Sequence, residues 1–136
     1  MSAVLATASL LPEPPRRRHD EDDLQRAVIR FLDQALGQDG LAFAIPNGGK
    51  RHRREAARMK GLGVKPGIPD IGVLYRGGRT LFVELKAPRG VVSEAQRDMA
   101  RRLTYLGYDV VTCKSLECVE CALRELGLSL HATVAA

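Results

Sequence analysis

Two apolar runs, Asp70–Tyr75 and Thr80–Lys86, are separated only by Arg76-Gly77-Gly78-Arg79. Strand-forming residues on both sides of a short glycine turn predict an antiparallel hairpin. The second run alternates. Leu81, Val83 and Leu85 share one face, and Phe82, Glu84 and Lys86 share the other, because strand side chains repeat with period two. An apolar sheet face has to be covered, so a chain built on this hairpin must also supply helices.

The remaining sequence supplies them. Leu24, Val28, Phe31, Leu32 and Ala35 lie on one stripe of a helix predicted over Asp20–Leu36. Asp20, Glu21, Asp22 and Asp23 crowd its first turn, where the helix dipole favours carboxylates, and Gly37 suits its end. A short strand is expected over Leu41–Ile45, a turn over residues 46–49, and a helix over about Arg51–Lys60. A loop rich in glycine and proline leads to Asp70. Beyond the hairpin, Ser93 and Gln96 have capping-box spacing at the start of a helix to about Leu106, with Met99, Ala100, Leu103 and Leu106 as its buried stripe. Tyr108–Cys113 reads as a strand, and Ser115 caps a last helix that stops at Gly127. The order α-β-α-β-β-α-β-α predicts an α/β fold, a mixed sheet flanked by helices. Residues 1–19 are expected to form a basic tail, 20–127 the domain, and 128–136 a second tail.

Composition narrows the setting. Lys plus Arg is 21 against 16 Asp plus Glu, a net charge of +5 over 136 residues, which leans toward an anionic partner. Between Lys50 and Lys65 lie seven of the cations and one opposing acid, Glu55. Such a segment neutralises phosphates and gives salt-sensitive binding, although a solubilising basic helix reads the same way. Three cysteines, an odd number, argue against a disulfide framework and for a reduced compartment. Cys118 and Cys121 have zinc-like spacing but sit within a helix without a clear fourth ligand, so small apolar packing residues are expected. Tyr105 and Tyr108 are expected to pack rather than stack on bases. There is no run long enough to span a bilayer, and no basic residue precedes the apolar stretch of Met1–Leu11. The expectation is a cytoplasmic protein of a bacterium or a phage, with no membrane partner.

The chemistry is expected at Asp70 and at Glu84-Leu85-Lys86. Two carboxylates brought together repel, so one must protonate or a cation must lie between them. Carboxylate oxygens with waters suit Mg²⁺, and a lysine on the same face can hold or deprotonate a water. That composite suits metal-assisted phosphodiester hydrolysis. A charged strand face can equally be just solvated.

Several stretches together resemble the virus-type replication-repair nuclease domain, VRR-NUC, of the PD-(D/E)xK nuclease superfamily. They are Asn47-Gly48-Gly49-Lys50-Arg51, Gly63-Val64-Lys65-Pro66-Gly67-Ile68-Pro69-Asp70, Glu84-Leu85-Lys86, Ser93 with Gln96, and Gly107-Tyr108-Asp109-Val110-Val111. The resemblance covers about residues 20–126 and implies a restriction-endonuclease-like fold. It implies a Mg²⁺- or Mn²⁺-dependent DNA endonuclease, selective for branched DNA in the manner of Holliday-junction resolvases and acting as a homodimer. Asp70, Glu84 and the Leu85 carbonyl would be metal ligands, and Lys86 the catalytic lysine. A first-helix acid completes the site, directly or through a water. Glu21, four before Gln25, fits best, with Asp22 and Asp23 as rivals and a simple dipole-matched N-terminus as the plainer reading. Gln96 would serve either the site or only the helix cap. Asn47, Lys50, Arg51, His52, Arg53, Arg54 and Lys65 would bind DNA, with His52 a weaker candidate for a general base. A basic DNA-binding module that no longer cuts, and a hydrolase acting on RNA, are the competing readings.

Overall fold

The structure, a computed structural model, describes residues 20–46 and 53–135. The tail 1–19 and Asn47, Gly48, Gly49, Lys50, Arg51 and His52 lie outside the described residues. Helix α1 (Asp20–Leu36) is followed by a single 3-10 turn (Gly37–Asp39) and strand β1 (Gly40–Ala44). Helix α2 (Arg53–Gly61) precedes the hairpin strands β2 (Ile71–Tyr75) and β3 (Arg79–Leu85). Helix α3 (Glu94–Tyr105), strand β4 (Asp109–Cys113) and helix α4 (Leu116–Glu125) complete the chain.

The four strands form one sheet in the order β1-β2-β3-β4. β1 with β2 and β2 with β3 are antiparallel, whereas β3 with β4 is parallel. The parallel step follows from the connection. Parallel neighbours need a long crossover, and α3 supplies it. The sheet is therefore mixed and flanked by helices, as the residue pattern predicts.

The core lies on one side of the sheet. Val28, Phe31, Leu32 and Ala35, the α1 stripe, meet Ile71, Val73, Leu81, Val83 and Leu85, with Val119 and Leu123 of α4 closing the layer. Each fully buried Val or Leu is worth about 1.5–3 kcal/mol against leaving it exposed. The stretch after α4, set apart in the sequence as a tail, lies against this core. Leu128 is buried, Tyr75 Oη donates to the Ser129 carbonyl at 3.2 Å, and the Val134 amide donates to Glu120 Oε2 at 2.9 Å.

The opposite face is covered less completely. The stripe expected to be buried on α3 is not: no α3 residue is buried, and Leu106 is 58% exposed. Tyr105 stands 90% exposed instead of packing. Tyr108 is partly exposed and meets Phe82 edge-on, with ring centroids 6.1 Å apart. Periodicity identifies which residues share a helix face, but one helix cannot cover four strands. On the β1–β2 half of that face, Leu41, Phe43 and Leu74 are exposed. Phe43 lies over Gly72, where an added Cβ would come within 2.4 Å of the ring.

Gly67 sets how the loop before Asp70 meets α3. Its φ is +78°, and an added Cβ would lie 2.2 Å from the Ala95 carbonyl oxygen. Backbone therefore packs on backbone at the first turn of α3. Gly67→Ala is expected to cost about 3 kcal/mol by urea unfolding, combining left-handed strain with a clash against backbone that cannot move aside. Gly77→Ala, also at positive φ but with open space around it, should cost about 1 kcal/mol.

Candidate active site

The hairpin register assembles the site. Ile71 pairs with Val83, so one step further the register sets Asp70 opposite Glu84. Asp70 lies just before β2, and its carbonyl accepts from the Ile45 amide at 2.8 Å. Its side chain closes the end of the ladder: the Leu85 amide donates to Asp70 Oδ2 at 2.8 Å. Lys86 lies just past β3, and its amide donates to the Cys113 carbonyl at 3.0 Å, carrying the parallel pairing one bond further. Glu84 and Lys86 thus keep the shared face expected from strand alternation.

Among the described residues, Glu84 is the one Asp, Glu, Lys, Arg or His that is buried, at 4% exposure. Burial, the Asp70 charge and a hydrogen bond with Asp70 push its carboxyl up from 4.5 to about 8, while Lys86 pulls the other way and Glu21 adds to the rise. The rise is the response of a buried carboxyl to desolvation first and to the neighbouring Asp70 charge second.

Gln96 makes contacts in both directions, to the cap and to Glu84. Its Oε1 accepts from the Ser93 amide at 2.9 Å and its own amide donates to Ser93 Oγ at 3.2 Å, a complete capping box. Its Nε2 donates to Glu84 Oε1 at 2.9 Å. The start of α3 is thereby tied to Glu84 by one side chain. Spacing reveals the cap, but the second bond depends on the packing of α3 against β3.

The acids of the first α1 turn separate. Glu21 Oε1 accepts from the Ala87 amide at 3.2 Å, just beyond Lys86. Asp23 pairs with Arg26 at 3.0 Å, and Asp22 lines a groove with Gln25, Arg26 and Arg30. Geometry therefore brings Glu21, Asp70, Glu84, Lys86 and Gln96 together. Of the basic residues proposed for binding, Arg53 and Arg54 lie exposed on α2, which buries none of its residues, and Lys65 is exposed in the following loop. Asn47, Lys50, Arg51 and His52 lie outside the described residues. A cavity of about 320 Å³ that sequence reasoning missed opens beside Glu84, lined also by Pro69, Gln96, Arg97, Arg101 and Thr112.

The donor set fits a hard dication. Mg²⁺ is held by one or two carboxylates and keeps several waters, and Mn²⁺ favours similar oxygen ligands. Asp70, Glu84 and the Leu85 carbonyl match that chemistry, and a cation would offset both the burial and the Asp70 charge that raise Glu84. Among the described residues no three His, Cys, Asp or Glu side chains form a metal-holding group, so the fit rests on two carboxylates and a carbonyl. The cysteines take no part. Cys113 is buried and Cys118 half-buried, but Cys121 is exposed and not the packing residue expected.

Comparison with known families matches residues 22–117 to the VRR-NUC domain. Two solved structures share the fold. One, described as "VRR_NUC domain", has 23% identity, a TM-score of 0.55, and covers 80% of this chain and 98% of its own. The other, "VRR_NUC domain protein", has 24% identity, a TM-score of 0.57, and covers 76% and 84%. Comparison with curated proteins finds no match.

Because the raised Glu84 is protonated in the folded protein where the unfolded chain has lost its proton, its contribution to stability has a definite sign. It is full below about 4.5 and is lost as pH climbs through about 8. The metal-free protein should therefore lose stability across that window relative to Glu84→Gln, measured by urea unfolding at several pH values. Parallel curves for the two proteins would refute the assignment.

Proposed function

The chain belongs to the VRR-NUC family of nuclease domains, and on that premise we propose that it is a divalent-metal-dependent DNA endonuclease with a preference for branched DNA. The observation that carries this reading is Glu84, a buried carboxyl facing Asp70 with Lys86 beside it. Such a cluster has a cost in a metal-free fold and an evident use in holding a cation.

In this reading Asp70, Glu84 and the Leu85 carbonyl hold Mg²⁺ or Mn²⁺, with Glu21 reaching it directly or through a water. When bound, the ion polarises the scissile phosphate and lowers the pKa of an attacking water. Lys86 orients that water and balances charge building on the phosphate oxygens. Gln96 holds one oxygen of Glu84, leaving the other for the cation. Arg53, Arg54 and Lys65, with Asn47, Lys50, Arg51 and His52, hold the DNA backbone, which makes binding salt-dependent.

Wild type should cleave a four-way junction faster than a matching linear duplex, with Mg²⁺ or Mn²⁺ and not with EDTA. Asp70→Ala and Lys86→Ala should each lower the rate by about 100-fold or more while salt-sensitive binding persists. Equal cutting of both substrates would remove the junction preference. Cutting of RNA but not DNA would change the substrate class. Binding without cutting by wild type would favour a non-catalytic module.

Two symmetric cuts at a junction need two active sites, hence a homodimer. The exposed Leu41, Phe43 and Leu74 on the β1–β2 face support a contact there, since contiguous exposed apolar residues mark interfaces. Leu74→Glu should convert a dimer to monomer in sedimentation velocity. A wild-type monomer at micromolar concentration would refute this contact.

A further inference from the structure

The nuclease chemistry makes no use of the cysteines, yet two of them are adjacent. Cys113 ends β4 and is buried, and Cys118 lies half-buried in the first turn of α4. The Cys118 thiol donates toward Cys113 Sγ at 2.8 Å. A disulfide spans about 2.0 Å between sulfurs, so joining them requires a shift of less than about 1 Å. Cys113 is also the residue whose carbonyl accepts the Lys86 amide, and it pairs with Leu85 in the parallel register.

We propose that Cys113 and Cys118 form a modification site: a dithiol that peroxides oxidise reversibly to a disulfide, clamping the strand end that holds Lys86. Cys118 is the more accessible of the two and reacts first. Its sulfur attacks a peroxide oxygen, the O–O bond breaks, and the leaving hydroxide takes the Cys118 proton and departs as water, giving a sulfenic acid. The Cys113 sulfur then displaces that hydroxyl. The S–S bond forms, the S–O bond breaks, and water departs with the Cys113 proton. A small dithiol reductant reverses the step by exchange and is itself oxidised. Cys113 is buried, so it enters only at the second step, after Cys118 has been oxidised. Cys121 is exposed and its thiol donates to Glu125 Oε1 at 3.5 Å, so it serves as an internal control.

The test treats the full chain with hydrogen peroxide and reads it by mass spectrometry and amide hydrogen exchange. A dione trap should label Cys118 early. Later the chain should lose two hydrogen masses, with Cys113 and Cys118 joined, and dithiothreitol should restore both. Cys121→Ser should close normally and Cys118→Ser should not. In the oxidised chain the Lys86 amide should exchange about threefold or more slowly, because the clamp suppresses opening of the bond to Cys113. Thiols that stay alkylatable, a bridge that uses Cys121, or closure that leaves Lys86 exchange unchanged would each overturn the proposal. None of these readouts depends on DNA cleavage, so the result stands apart from the nuclease reading.

Discussion

The antiparallel register between β2 and β3 is the constraint on which the site depends. The three-residue connection 76–78 and strict alternation carry Asp70 opposite Glu84, with thirteen residues between them in sequence. The Asp70 carboxylate then takes the Leu85 amide, so the side chain that closes the hairpin is also one that faces the cluster. A one-residue slip would turn every side chain of β3 to the other face. Glu84 would enter the core, and Leu85 would take its place at the site.

Glu84 is then held from several directions. Gln96 ties it to the start of α3, and Gly67 allows the loop before Asp70 to rest directly on that helix turn. The site therefore joins the hairpin, the α3 cap and the α1 N-terminus, where Glu21 reaches the Ala87 amide. Concentrating carboxylates here opposes metal-free stability, because burial and the Asp70 charge both disfavour an ionised Glu84.

Much of this was legible in the residues. The α1 stripe, the hairpin, the Ser115 cap and the spacing of Ser93 with Gln96 rest on local periodicity and capping, and local rules describe them well. Glu21 could not be separated from Asp22 and Asp23, because helix phase relative to the end of β3 is a tertiary property. The exposure of Leu106, Tyr105 and Cys121 was hidden for the same reason: a pattern marks a face but not how much of that face a neighbour covers. The second bond of Gln96 is of this kind too. Arg53, Arg54 and Lys65 show their charge in sequence and their exposure in the fold.

The central claim is that Asp70 and Glu84 are arranged to share a divalent cation. Calorimetric titration with Mn²⁺ at neutral pH, on wild type, Asp70→Asn and Glu84→Gln, addresses it without DNA. Saturable binding by wild type, weakened about tenfold or more in each folded variant, is the predicted result, because ligation needs both carboxylates ionised. Equal binding by all three proteins, or none by wild type at millimolar Mn²⁺, would contradict it.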